Sequence, residues 1–446
     1  MRNVSRFTLW TLAAVLLLGV GGVIALPIAF RGYLVSSSFH RLVSESAARA
    51  CNAQVELAPI SAAGSSVYTE RFSSTGRGPD FTAKIRADQI RAEFDWRGLL
   101  HRSWRVDELT VERLNVSFGG EQSTPPAPAP APPPTSSPAP SAASNWRLDV
   151  RQARVKESNW SWTAEPGMGG QVTGTALTIV PEHDEAAVDV VGGRLLQPGW
   201  PELQVDSARL RLEPHSLFIL ESALHNSDGR VSLTGEIRFG ESADLQVNVA
   251  GLSLDPFLAE DWRARLAGRV VAEAKMQIPL ARDHGAVFTS TGSARIDNAV
   301  VTALPVLDQI ALFTQVERYR RLTLTTATFD FAMSPAKFTA RKLVAESAGL
   351  LRVEGEFSLV NDQIDGKFEV GITPASLQWL PGSRARVFTV ARDGYLWAPM
   401  RLTGPVAHPS EDLSPRLIAA AANEVIQGVE GTVRDTTKSL LEWLLH

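Results

Sequence analysis

The chain has 446 residues, 44% of them hydrophobic, a formal net charge of −4 and a single cysteine, Cys51. That hydrophobic share excludes a chain disordered throughout. The slight charge, with no basic patch, sets nucleic acid aside as a partner, and one cysteine leaves no intramolecular disulfide.

In chain order, the first element is an apolar run. Phe7 to Phe30 spans 24 residues without a charge, and about 20 apolar residues cross a bilayer core. The run is too long for a signal peptide, whose apolar region is about 7 to 15 residues, and no small-x-small cleavage site follows it closely. Residues 1–31 are therefore expected to form an uncleaved anchor. Arg2 and Arg6 precede the run, so the positive-inside bias places the N-terminus in the cytoplasm and the body across the membrane, the periplasm in a bacterium.

Residues 32–120 read as an N-terminal β region. The run from Ile85 to Trp96 alternates, as does WRVDELTVERLNVSF from Trp104, and period-2 alternation marks a strand with one apolar and one wet face. Residues 121–144 hold nine prolines. Proline lacks a backbone donor and fixes φ, so this stretch is expected to be a disordered loop. Beyond it, WRLDVRQARVKESNWSW from Trp146 resembles the segment from Trp104. The loop is thus expected to join two similar strands of one sheet. Asn115-Val-Ser117 and Asn159-Trp-Ser161 match the glycosylation pattern, which carries no information in a bacterial chain.

A central β region, 145–303, continues with alternating runs at Val172–Val180 and Ala208–Leu212. Within it, Gly229 to Leu252 forms a hairpin pattern carrying Val231, Leu233, Ile237 and Phe239, then Leu245, Val247 and Val249. A second hairpin pattern, in region 304–412, carries Leu351, Val353, Phe357 and Leu359 before a polar turn at Asn361-Asp362-Gln363, then Ile364, Phe368 and Val370. The two share landmarks at an offset of 120: Phe218 with Phe338, Gly229 with Gly349, Gly235 with Gly355 and Gly251 with Gly371. Shared spacing of that kind points to a repeated unit. Helical patterns are few. Two begin with proline at Pro256 and Pro305, and the tail 413–446 is amphipathic, with Leu417, Ile418, Ala421, Val425, Val429 and Val433 near a 3.6-residue period.

Catalytic signatures are missing from the sequence. The eight histidines show no zinc-ligand spacing, and neither a phosphate-loop pattern nor a Gly-x-Ser-x-Gly elbow occurs. The carboxylate-rich spot Glu182-His183-Asp184-Glu185 and Asp393 before Gly394 read as hairpin turns. No enzyme, cofactor or metal is expected.

From Leu304 to Leu417 the sequence resembles the C-terminal region of the AsmA-like family. A short helix precedes strands and a glycine-punctuated hairpin, then Pro381-Gly382, Val387-Phe388, Asp393-Gly394-Tyr395 and a closing strand through Thr403-Gly404-Pro405. The chain is short for that family, and the proline-rich insert departs from its pattern. The resemblance implies a mostly β protein, with an N-terminal transmembrane helix followed by an elongated, twisted antiparallel β-sheet. Its apolar face would form a hydrophobic groove. It also implies an inner-membrane-anchored envelope protein of the bridge-like lipid-transfer class, with phospholipid as its partner and a role in outer-membrane biogenesis. About 20 strands at about 4.8 Å each would make a trough about 100 Å long.

Alternation alone does not separate an open groove from a closed sandwich core. The candidate groove lining is Val231, Leu233, Ile237, Phe239, Leu351, Val353, Phe357, Leu359, Ile364, Phe368 and Val370, with core packing as the rival for each. The competing function is a scaffold that docks outer-membrane or envelope proteins and has no groove.

Overall fold

A computed structural model describes residues 34, 36–51, 53–77, 82–95, 103–119, 147–163, 169–258, 260–280, 287–302, 307, 311, 317–379 and 383–420. The expected anchor, the proline-rich stretch and the tail beyond Ala420 lie outside the described residues. Among the described residues, no helix is long and apolar enough to cross a membrane. The chain is mostly β and divides into two compact units, Met1–Ser222 and Ala223–His446.

The first unit opens with helix α1, Ser37–Cys51. Its strands are β1 Ala53–Leu57, β2 Ile60–Ala63, β3 Ser66–Arg77, β4 Thr82–Asp95, β5 Ser103–Phe118 and β6 Arg147–Val150. They continue with β7 Ala153–Trp162, β8 Gly170–Glu182, β9 Glu185–Val191, β10 Arg194–Leu196 and β11 Leu203–Leu212. Ser36 caps α1 by accepting the Phe39 amide at 3.3 Å. The helix then lays Phe39 against Phe94 and Trp104, with ring centroids 5.9 and 5.3 Å away. Val67 and Val106 complete this buried cluster.

Most neighbours in this unit are antiparallel, but β5 pairs in parallel with both β6 and β7. The two tryptophan-led segments therefore do lie side by side in one sheet. Sequence likeness aligns them at an offset of 42, Trp104 with Trp146, whereas the ladder pairs Ser103 with Arg147, an offset of 44. The difference is even, so every side chain keeps its face. Side chains explain the choice of 44. Lys156 meets Glu112 at 2.6 Å, Arg151 meets Asp107 at 3.3 Å, Arg113 meets Glu157 at 3.8 Å, and Asn159 donates to Asn115 at 3.1 Å. The two glycosylation-like asparagines are thus partners across the parallel pair. Parallel neighbours need a return path. The 28 residues from 119 to 146, at about 3.1 Å each in extended form, outreach the roughly 50 Å length of β5.

Strand β12, Ser216–His225, crosses the boundary between the units. The second unit holds β13 Arg230–Arg238, β14 Ser242–Ser253, β15 Leu266–Pro279, β16 Thr289–Thr302, β17 Arg321–Thr323 and β18 Thr326–Ser334. It continues with β19 Lys337–Ser347, β20 Leu351–Val360, β21 Gln363–Ile372, β22 Val390–Arg392, β23 Tyr395–Pro405 and β24 Ser410–Glu411. Antiparallel pairing runs β13–β14–β15–β16–β18–β19–β20–β21–β23. Two tight turns use paired positive φ: Asn361 and Asp362 at 50° and 58°, and Asp393 and Gly394 at 53° and 80°. That geometry matches the right-handed twist of the flanking strands. The landmarks offset by 120 fall on equivalent elements, β12–β13–β14 and β19–β20–β21. The helix expected from Pro256 reduces to a turn of 3-10 helix at Asp255–Phe257 and a short helix at Glu260–Arg263.

Candidate functional site

Because the ladder of the second unit is antiparallel and nearly unbroken, alternate residues of its strands line up in rows across one face. One row reads Leu233, Val247, Ala274, Gly292, Phe331, Ala340, Phe357, Gly366, Leu402. The next reads Gly235, Leu245, Met276, Ser290, Met333, Phe338, Leu359, Ile364, Gly404. No residue in either row is titratable. Eight steps at about 4.8 Å make this apolar strip about 38 Å long.

Phenylalanines knit it together. Phe329, Phe331, Phe338, Phe357 and Phe368 follow one another at centroid distances of 6.4, 6.3, 5.9 and 6.4 Å. Small residues stand opposite three of these rings: Ala340 opposite Phe331 and Phe357, Gly366 opposite Phe357, and Gly355 opposite Phe368, whereas Phe338 lies between Met333 and Leu359. A Cβ at Gly366 would come 2.5 Å from Phe368 Cε2, and one at Gly355 would come 2.7 Å from Phe368 Cδ1. Gly366 is a seat for an aromatic ring, and Gly355 has both the Phe368 ring and the Lys367 carbonyl close by.

The apolar face is closed at one set of strand ends and more open toward the other. At the closed end, Leu351, Val370, Ile372 and Ala398 pack beneath Tyr319, Leu377, Phe388, Leu413 and Leu417 in one buried cluster. The helical residues 413–420 contribute their Leu413, Leu417 and Ala420 face to it. Tyr319 is 0% exposed and donates its hydroxyl to Leu350 O at 3.4 Å, and burial pushes that hydroxyl above its ordinary range. Farther along the same strands, Phe357, Leu359 and Ile364 are only partly covered.

A long-range contact joins two distant corners of this sheet. Trp262 Nε1 donates to Val406 O at 3.0 Å. Trp262 precedes the Leu266 end of β15, while Val406 follows β23 at the opposite strand ends, six ladder steps away. Six steps are about 29 Å in a flat sheet. The contact therefore requires the sheet of this unit to twist and coil until these opposite corners meet.

The opposite face is wet and ion-paired. Arg392 meets Glu354 at 2.7 Å and Glu369 at 3.2 Å, and Arg352 meets Glu354 at 2.8 Å and Glu346 at 3.3 Å. Tyr395 donates to Glu346 at 2.9 Å. Partial burial, then this bond, holds the Tyr395 hydroxyl above its ordinary range.

The structure brings the candidate lining of both hairpins onto one face of one sheet. Val231, Leu351, Phe368 and Val370 are buried, and Leu233, Ile237, Val353, Phe357, Leu359 and Ile364 are partly exposed. Phe239 stands in the β13–β14 turn, 45% exposed. Sequence reasoning left Phe331, Phe338, Met276 and Leu402 out of the lining. Their strands alternate legibly, but which face meets which neighbour is a matter of register. In the first unit an apolar face also runs across the sheet, with Ala87, Val111, Val155 and Leu177 buried together. Glu182–Glu185 and Asp393–Gly394 are hairpin turns. Among the described residues, no group of three or more His, Cys, Asp or Glu is placed to hold a metal ion.

No family model, curated protein or solved structure matches this chain.

Proposed function

We propose that this protein is a non-enzymatic lipid-binding and lipid-transfer protein of the bacterial cell envelope, with phospholipid acyl chains held on the apolar sheet face and headgroups in solvent. In this reading it is an AsmA-like protein, anchored in the inner membrane through residues 7–30, with a cytoplasmic N-terminus and a periplasmic body. It supports the lipid homeostasis of the outer membrane. The observation that carries the reading is the partly covered strip around Phe331, Phe338, Phe357 and Leu359. A strip that apolar and that continuous would be shielded to the level of Tyr319 and Phe388 if its purpose were only to close a core. The resemblance of residues 304–417 adds the envelope setting.

The test replaces Phe357 with a photo-reactive benzoylphenylalanine in the full chain, irradiates cells, and analyses the adducts by mass spectrometry. Phospholipid adducts at position 357 are expected. Adducts to protein alone would favour a docking scaffold and sink the lipid reading.

A further inference from the structure

Exposure along the apolar face of the second unit is graded. On β13 it rises from 6% at Val231 to 45% at Phe239 just past the strand, and on β18 from 7% at Ala327 to 38% at Met333. Leu280, one residue past β15, is 41% exposed. Its amide donates to Glu241 O at 2.9 Å, which ties it to the turn that carries Phe239. These three residues stand at one set of strand ends. The other ends lie at the sealed cluster, where Ile372 is 0% and Leu322 1% exposed.

We infer that the strand ends bearing Phe239, Leu280 and Met333 form the rim through which acyl chains pass between a phospholipid surface and the face. The inference rests on the lipid-binding reading and adds the route and the surface. An acyl chain has no path through the packed cluster of Tyr319, Phe388, Leu413 and Leu417, so of the two sets of strand ends only the one where apolar exposure rises admits it. Large apolar side chains at a rim gain from insertion among acyl chains at the boundary of a bilayer. The charges beside them have both signs: Arg238, which pairs with Asp244 at 2.5 Å, with Glu241, Lys337 and Asp362 exposed nearby. Such a rim suits a zwitterionic phospholipid surface, since one built for an anionic surface would carry an excess of lysine and arginine.

The test reconstitutes the full chain, with benzoylphenylalanine at position 357, into phosphatidylcholine vesicles. A second population of vesicles of the same lipid supplies an isotope-labelled phosphatidylcholine and accepts unlabelled lipid in exchange, and labelled adducts are followed with time. Phe239→Ser/Leu280→Ser is expected to slow the appearance of labelled adducts at least tenfold. Phe239→Ser alone, at an exposed turn, gives the same readout with a smaller effect should the pair fail to fold. Ile418→Ser, an equally exposed apolar residue on the sealed side (50%), is expected to leave the rate within twofold. If the parent chain acquires no labelled lipid, the lipid reading fails and the rim with it. Labelled lipid acquired at the same rate by both rim variants overturns the rim alone, as does equal slowing by Ile418→Ser. A rate that rises tenfold with phosphatidylglycerol acceptors overturns the zwitterionic assignment.

Discussion

Whether the apolar face is open can be measured as a difference between two substitutions at two phenylalanines. Phe388 is 0% exposed in the segment that covers the sealed end, and Phe357 sits on the sheet face itself, partly exposed. Phe388→Ala leaves a closed cavity and should cost about 3–5 kcal/mol. Phe357→Ala leaves none. It loses ring contacts to Phe338 and Phe368, worth about 0.5–1.5 kcal/mol each, and about 1 kcal/mol of partial burial. The diagnostic quantity is the cost of aspartate minus that of alanine at each position. In the sealed cluster a carboxylate has no partner and should cost about 3–5 kcal/mol beyond alanine. At position 357 it reaches water, and the difference should stay below about 1 kcal/mol. Burial raises the pKa of the carboxyl introduced by Phe388→Asp above its unfolded value of about 3.9. The charge part of its penalty is therefore absent at the lowest pH, where the group is protonated in both states, and grows as pH rises past the unfolded value, while the cost of the buried neutral carboxyl persists. The penalty at position 357 should show little such slope. Hydrogen-exchange mass spectrometry on peptides of β20, β21 and residues 387–392 measures each effect locally, without assuming that the whole chain unfolds in one step. An aspartate-minus-alanine difference at position 357 as large as that at position 388 would refute the open face.

Other substitutions test how the face and the sheet are built. Gly366→Ala should displace the Phe368 ring and cost about 1–3 kcal/mol, read as faster amide exchange in β21; no change would mean that the glycine is no ring seat. Reversing one ladder charge, as in Glu112→Lys against Lys156, should cost below about 1 kcal/mol, with recovery on adding Lys156→Glu; a thermal-shift double-mutant cycle without coupling would remove the register role of that pair. Deleting residues 124–141 leaves ten residues between β5 and β6, an extended reach of about 33 Å against the roughly 50 Å to be retraced. Loss of protection in β5–β7 is expected, whereas deleting eight prolines and alanines from the same stretch should be silent. Trp262→Phe removes the donor to Val406 O and should cost about 1 kcal/mol, seen as faster exchange confined to residues 260–265 and 406–408.

The strands and their two faces were legible in the chain from alternation alone, because a period of 2 fixes side-chain direction wherever the backbone is extended. Val231 to Ile237, and Leu351 to Leu359, belong to one face for that reason. Turns were legible too where short polar residues stand between alternating runs, as at Asn361-Asp362 and Asp393-Gly394. The repeat at 120 was visible because glycine landmarks have to keep their places. The short helices were overestimated at Pro256, since the proline and the apolar spacing mark a start but not a length.

Tertiary structure decided the rest. Parallel pairing of β5 with β7 sets charges 44 residues apart against each other and buries Val111 with Val155, and local pattern carries no information about which distant strand will be the neighbour. Phe331 and Phe338 joined Phe357 and Phe368 only through register, which sets Ala340 opposite Phe331 and Phe357. Which end of the face is sealed depends on where residues 317–324, 376–379, 383–388 and 413–420 fold back, and the reach of Trp262 to Val406 depends on twist accumulated over six strand pairings. Alternation is a property of one strand and its own backbone, whereas openness is a property of what other segments leave uncovered, and only the folded chain specifies that.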